Sequence, residues 1–158
     1  MRYSASAFLP GDDDTARLGK FLASRLAVGD TVLLHGPIGA GKTSLARAII
    51  QSKLSTAGRN EDVPSPTYTL VQTYLDGQSE IWHADLYRLT DISEVLELGL
   101  EDAFGSAIVL VEWPDRLGEF EPEDALHVRF AFEGDGRKVI MSGNSERWSD
   151  IADWLADA

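Results

Sequence analysis

The stretch Gly36 to Thr43 reads GPIGAGKT and fits the spacing G-x-x-x-x-G-K-[ST]. It follows the apolar run Val32, Leu33, Leu34 and precedes a helix-forming segment, the strand–loop–helix setting that gives the pattern its chemical meaning. That chemistry is largely main-chain. Glycines let the chain curl until successive N–H groups point at one anion, and the helix N-terminus adds partial positive charge. Pro37 has no N–H to donate, so the cradle is assigned to Gly39, Ala40, Gly41, Lys42 and Thr43. Lys42 supplies a point charge to the β- and γ-phosphates, and Thr43 a hydroxyl to Mg²⁺. The first expectation is a P-loop that binds nucleotide phosphate.

Length and composition bound what surrounds this loop. The 158 residues suit a single domain, 1–158, large enough for a substantial core. With no cysteine, disulfides and thiolate metal sites are excluded, and a cytoplasmic location suits the chain. The three histidines lie too far apart in sequence to suggest zinc. No apolar stretch approaches the ~20 residues of a membrane span. The opening MRYSASAFLP resembles neither a secretory leader nor an Arg-rich transit segment. The net charge of −12, from 14 basic and 26 acidic residues, argues against a chain that grips RNA or DNA unaided. Affinity for nucleic acid draws heavily on cationic contacts and counterion release.

Periodicity places the elements. Asp12 to Ala27 reads as a helix, with Leu18, Phe21, Leu22 and Leu26 on one face and Gly29 beyond its end. Thr31 to His35 reads as a buried strand, and Lys42 to about Leu54 as the helix after the loop. Residues 55–66 are polar and proline-interrupted, hence a loop. Thr67–Leu75 and Ile81–Arg88 alternate like strands around D-G-Q-S, a hairpin signal. Asp91–Phe104 is helical with a break near Gly99, and Ala107–Val111 is a second apolar strand. Ala125–Glu133 and Arg137–Met141 form a hairpin around GDG, and Ser145–Ala156 closes the chain as a helix. The predicted fold is three-layer α/β and P-loop NTPase-like, with a mixed central sheet and antiparallel hairpins.

Hydrolysis needs more than the loop: an acid near the metal and a group that positions water. The run AIVLVE, residues 107–112, is an apolar strand ending in a carboxylate, the Walker B form, which would put Glu112 near Mg²⁺. In His83-Ala84-Asp85-Leu86-Tyr87, alternation puts His83, Asp85 and Tyr87 on one strand face. That face reads either as the wall of a site, with Asp85 orienting water, or as the solvent side of a hairpin. Thr67 after Ser65-Pro66 reads as a switch-like sensor of γ-phosphate or as a plain turn into a strand. Trp113 reads as an exposed contact or, preferably, as core.

Taken together, LLHGPIGAGKTSLARAI, SPTYTLVQTY, HADLYRL, ELGLEDAF and IVLVEWPDRLG, from about Leu33 to Gly118, resemble the TsaE (YjeE) family. That family is the P-loop ATPase of bacterial tRNA threonylcarbamoyladenosine synthesis. The resemblance implies an ATP hydrolase, slow without partners. ATP would sit on Gly39, Ala40, Gly41, Lys42, Thr43 and Ser44, with Mg²⁺ on Thr43 and Glu112. Lys42, Asp85, Glu112 and Thr67 would make up the catalytic surroundings. It further implies nucleotide contacts from about Asp12 and from a late arginine, matched here by Arg137. GPIGAGKTS stands where GDLGAGKTT is commoner, and HADLYR where HFDLYR is commoner; neither change removes a needed charge or hydroxyl. The implied partners are TsaB- and TsaD-type synthase proteins, with tRNA reached only through them and no membrane involved.

Two other functions share the loop. A small-molecule kinase needs an acceptor pocket and usually an arginine-rich lid, and Arg116, Arg129, Arg137 and Arg147 are dispersed in sequence. The other is a nucleotide-binding switch without meaningful catalysis; guanine recognition of the GTPase kind needs an N/T-K-x-D element, which this sequence lacks.

Overall fold

The computed structural model describes residues 2–157, so Met1 and Ala158 lie outside the described residues. In chain order the elements are β1 (Tyr3–Leu9), α1 (Asp12–Arg25), β2 (Thr31–His35), α2 (Lys42–Thr56), β3 (Val71–Leu75) and β4 (Glu80–Asp85). They continue as α3 (Ser93–Glu97), α4 (Leu100–Ala103), β5 (Ile108–Glu112), β6 (Leu126–Glu133), β7 (Gly136–Gly143) and α5 (Ile151–Asp157). Short 3₁₀ segments cover Pro114–Phe120 and Glu146–Trp148.

The strands form one mixed seven-stranded sheet in the order β1-β7-β6-β2-β5-β4-β3. β2 lies parallel between β5 and β6, and β4 lies parallel to β5. β2 and β5 are almost wholly apolar because both their faces are covered, as parallel strands require. On one side Leu22, Leu45, Ile49 and Trp154 bring α1, α2 and α5 against the sheet. On the other, Val95, Leu100 and Leu117 cover Leu33, Val109 and Val111 with α3, α4 and the 3₁₀ turn. The three layers and mixed sheet are those expected, and both hairpins form as antiparallel pairs. No helix among the described residues is long and apolar enough to cross a membrane.

This topology aligns the C-terminal ends of β2, β5 and β4. Leu34 is opposite Glu112, which is opposite Asp85. The loops leaving those three ends therefore open on one edge of the sheet, where ligands of open α/β sheets bind.

Several boundaries differ from expectation. The strand expected from Thr67 begins at Val71, because 67–70 is a turn in which the Leu70 N–H bonds the Pro66 carbonyl at 2.7 Å. The strand expected to reach Arg88 stops at Asp85, whose carboxylate accepts the Tyr87 N–H at 3.0 Å and turns the chain. The closing helix is split: a 3₁₀ turn ends at Trp148 and α5 starts at Ile151. Finally, β1 has no counterpart among the predicted elements. It pairs with β7 through residues too small and polar to give a strong apolar alternation.

Candidate functional site

The loop Gly36–Gly41 turns the chain from β2 into α2. Gly41 sits at φ 116° as the N-cap residue, a left-handed conformation that disfavours any side chain. Gly36 is equally constrained: at φ 141°, a Cβ there would lie 2.8 Å from the Phe130 carbonyl oxygen. No side chain caps α2 and no acid stands in its first turn, so the orphan amides of Lys42, Thr43 and Ser44 and the helix dipole face outward together. Within the loop, the Ala40 N–H bonds the Pro37 carbonyl at 3.2 Å. The loop thereby holds its own curl through Ala40, and Gly39, Gly41 and the first turn of α2 line the space above it.

That space is a cleft of about 610 Å³. Its floor is Gly39–Ser44; one wall is Thr67, Asp85, Tyr87, Glu112 and Trp113; the opposite wall is Leu9–Asp12 with Thr15, and Asp135–Arg137. Of the residues named from the sequence as site candidates, Asp12, Gly39, Ala40, Gly41, Lys42, Thr43, Ser44, Thr67, Asp85, Glu112 and Arg137 line this cleft, and His83 does not.

Side-chain geometry organises the acidic wall. Thr43 Oγ1 donates to Glu112 Oε1 at 2.7 Å. Thr67 Oγ1 donates to Asp85 Oδ2 at 3.3 Å and shares a 2.7 Å hydrogen bond with Ser65 Oγ. Both carboxylates are buried. Lys42 is buried too, its Nζ donating to the Gly36 carbonyl and lying 3.4 Å from the Trp113 ring centroid. Burial lowers the Lys42 pKa, while Glu112 and Asp85 oppose the shift. Across the cleft, Arg137 Nη2 donates to the Gly39 carbonyl at 3.3 Å and its guanidinium stacks on Phe132. Asp12 opens α1 at the exposed rim.

Thr43 and Glu112 present two hard oxygens at one point. Among the described residues, no cluster of three or more His, Cys, Asp or Glu could hold a metal ion alone. This combination fits Mg²⁺, which takes one or two protein oxygens and fills its remaining positions with phosphate and water.

Three residues differ in part from their sequence reading. The polar strand face holds for His83 and Asp85 and breaks at Tyr87, which lies past the strand and is exposed. His83 is no solvent-facing residue: it is fully buried with Nε2 2.7 Å from Glu112 Oε2. Trp113 packs on the core but is only partly buried. It takes φ 58° directly after β5, where Pro114 starts a 3₁₀ turn, and this swings the indole over Lys42 and against Tyr87 at 4.8 Å. The cleft residues Leu9, Pro10, Gly11, Thr15 and Asp135 were not legible either; their only sequence signal is proximity to Asp12 and Arg137.

Beneath the loop, His35 at the end of β2 stacks on His127 of β6 with centroids 5.1 Å apart, and their facing nitrogens are 2.9 Å apart. Burial lowers both pKa values to about 4, with the Arg129 charge adding to the effect; Lys42 lowers His35 slightly further and Asp115 opposes. Since the unfolded chain takes up these protons near pH 6.5 and the folded chain does not, stability is complete above pH 6.5 and declines toward pH 4. Thermal melts across that range are expected to show this decline, and a His127→Leu variant a shallower one.

Comparison with known proteins gives the family and the fold. Residues 9–139 match the family model described as threonylcarbamoyl adenosine biosynthesis protein TsaE. A Rickettsia felis protein named tRNA threonylcarbamoyladenosine biosynthesis protein TsaE is 35% identical over 149 residues, spanning 93% of this chain and 84% of that one. The Haemophilus influenzae protein of the same name is 35% identical over 154 residues, spanning 94% and 95%. The crystal structure of Bacillus subtilis YdiB superposes with a TM-score of 0.77 over 99% of this chain and 97% of that one, at 23% identity, and shares the fold.

Proposed function

The chain belongs to the TsaE family, and from that premise we propose that it is a Mg-ATP-dependent ATPase of tRNA threonylcarbamoyladenosine biosynthesis. The observation that carries this reading is the 2.7 Å contact of Thr43 with Glu112 at the uncapped N-terminus of α2, with Asp85 on the adjoining strand. On it, the first-turn amides and Lys42 bind the phosphates, exchanging the Gly36 carbonyl for a phosphate oxygen. Thr43 and Glu112 would hold Mg²⁺, which when bound neutralises charge on the β- and γ-phosphates. Asp85, steadied by Thr67, would orient the attacking water. Arg137 and Asp12 bracket the nucleoside end, and Trp113 shields Lys42 from bulk water.

A net charge of −12 supports a protein that works through protein partners rather than on tRNA directly. The partners the family resemblance suggests are TsaB- and TsaD-type synthase subunits, which ATP turnover would reset between cycles in the cytoplasm. The chain acts on this reading as one ATPase domain. The test measures phosphate release and modified tRNA together, with and without those subunits. Slow hydrolysis alone, faster hydrolysis with the subunits, and tRNA product that depends on ATP are expected. No hydrolysis under either condition would overturn the reading.

A further inference from the structure

Glu112 divides its carboxylate between two partners. Oε1 accepts the Thr43 hydroxyl at the cleft floor, and Oε2 meets His83 Nε2 at 2.7 Å on the side away from the loop. The histidine is 0% exposed and the glutamate 2%. β4 and β5 run parallel with His83 opposite Leu110 and Asp85 opposite Glu112, so the imidazole sits two residues behind the catalytic end of its own strand. Its other nitrogen, Nδ1, is buried with no hydrogen-bond partner. A ring with a single polar contact and an orphaned second nitrogen is a costly thing to bury. A purely structural role would be served better by an apolar side chain beside Ile81 and Leu110, which share its sheet face. The cost calls for a function at the one atom that is engaged.

We propose that His83 is a positioning residue that fixes the Glu112 carboxylate, holding Oε2 back so that Oε1 alone faces Thr43 and the divalent cation. The inference rests on the reading of Thr43 and Glu112 as Mg²⁺ ligands. The reasoning is geometric. A glutamate carboxylate rotates freely about its terminal torsion, which has broad wells. In a buried site without a second partner it would turn both oxygens toward Thr43 and Lys42, since a buried oxygen left unpaired is expensive. That orientation degrades it as a ligand. A donor at Nε2 prevents it by satisfying one oxygen. His83 itself is no ligand, because its engaged nitrogen is spent on Oε2 and its free one has no cleft contact. Loss of such an outer partner typically costs about 10- to 100-fold in metal affinity.

The experiment uses the full chain saturated with ADP and titrates Mn²⁺ as the probe metal, reading free ion by electron paramagnetic resonance. ADP affinity in EDTA and the thermal midpoint are measured alongside. His83→Leu removes the donor at similar volume. His83→Asn keeps polarity, but its amide falls short of the Nε2 position, and it serves as the loss variant if the leucine protein does not fold. His83→Gln places an amide donor where Nε2 was. Leu and Asn are expected to weaken Mn²⁺ binding about 10- to 100-fold, Gln to restore it close to wild type, and ADP affinity in EDTA to stay unchanged throughout. Unaltered Mn²⁺ affinity in a folded loss variant would overturn the proposal. So would a folded Gln variant as weak as Leu or Asn, or an equal loss of metal-free ADP binding, since each denies a role specific to the carboxylate. Absence of Mn²⁺ binding in the wild-type complex would instead overturn the Mg²⁺ assignment itself, and this inference with it.

Discussion

Lys42→Ala is expected to reduce ATP hydrolysis by about 10²- to 10³-fold, the scale set by removing one preorganised charge donor from a shielded site. The ammonium is held by the Gly36 carbonyl and the face of Trp113, so it is stationed at the loop. Removing it also deletes a hydrogen bond to a charged ligand, worth about 1.5–3 kcal/mol, or roughly 10- to 100-fold in Kd. The fold should survive, because burial disfavours the charged lysine and its deletion relieves that penalty. Phosphate-release assays with thermal melts check both halves. Wild-type turnover in a folded Lys42→Ala protein would remove the lysine from the mechanism.

Glu112→Gln carries the second large effect. The amide is isosteric and can still meet Thr43 and His83, so packing at the end of β5 is retained. What disappears is the negative charge that opposes the cation. Hydrolysis is expected to fall about 10²-fold or more, while ADP binding measured in EDTA is kept or even strengthened, because a carboxylate near the phosphates has been neutralised. That split between catalysis and metal-free binding separates Glu112 from Lys42, whose loss damages both. Equal loss of both activities in Glu112→Gln would place the residue in phosphate binding and not in metal binding.

The contrast between these residues and the rest explains how much was readable from the chain. The loop was legible because its chemistry depends on glycine and lysine spacing, which a linear string preserves. β2 and β5 were legible because burial on both faces demands unbroken apolar runs. By contrast β1, built from alternating serine and alanine, has little apolar signal, and it forms because β7 offers a free edge. Trp113 was read as core and does pack on it, but its place in the cleft depends on one backbone torsion, which residue type does not specify. His83 was correctly grouped with Asp85 by strand alternation, but its partner comes from β5, 29 residues away. Asp12 and Arg137 entered only through family resemblance, since their meeting on one wall of the cleft depends on β1 pairing with β7.

Everything proposed for catalysis depends on the glycine loop and α2 forming a phosphate cradle completed by Lys42 and by a cation on Thr43 and Glu112. Isothermal titration calorimetry of the full chain with ATP, in Mg²⁺ and in EDTA, tests this most directly. Single-site uptake that is tighter with Mg²⁺, with the Mg²⁺ advantage lost in Glu112→Gln and overall affinity lowered in Lys42→Ala, is the expected result. No heat of binding to the wild-type chain, or identical isotherms for all three proteins, would contradict it.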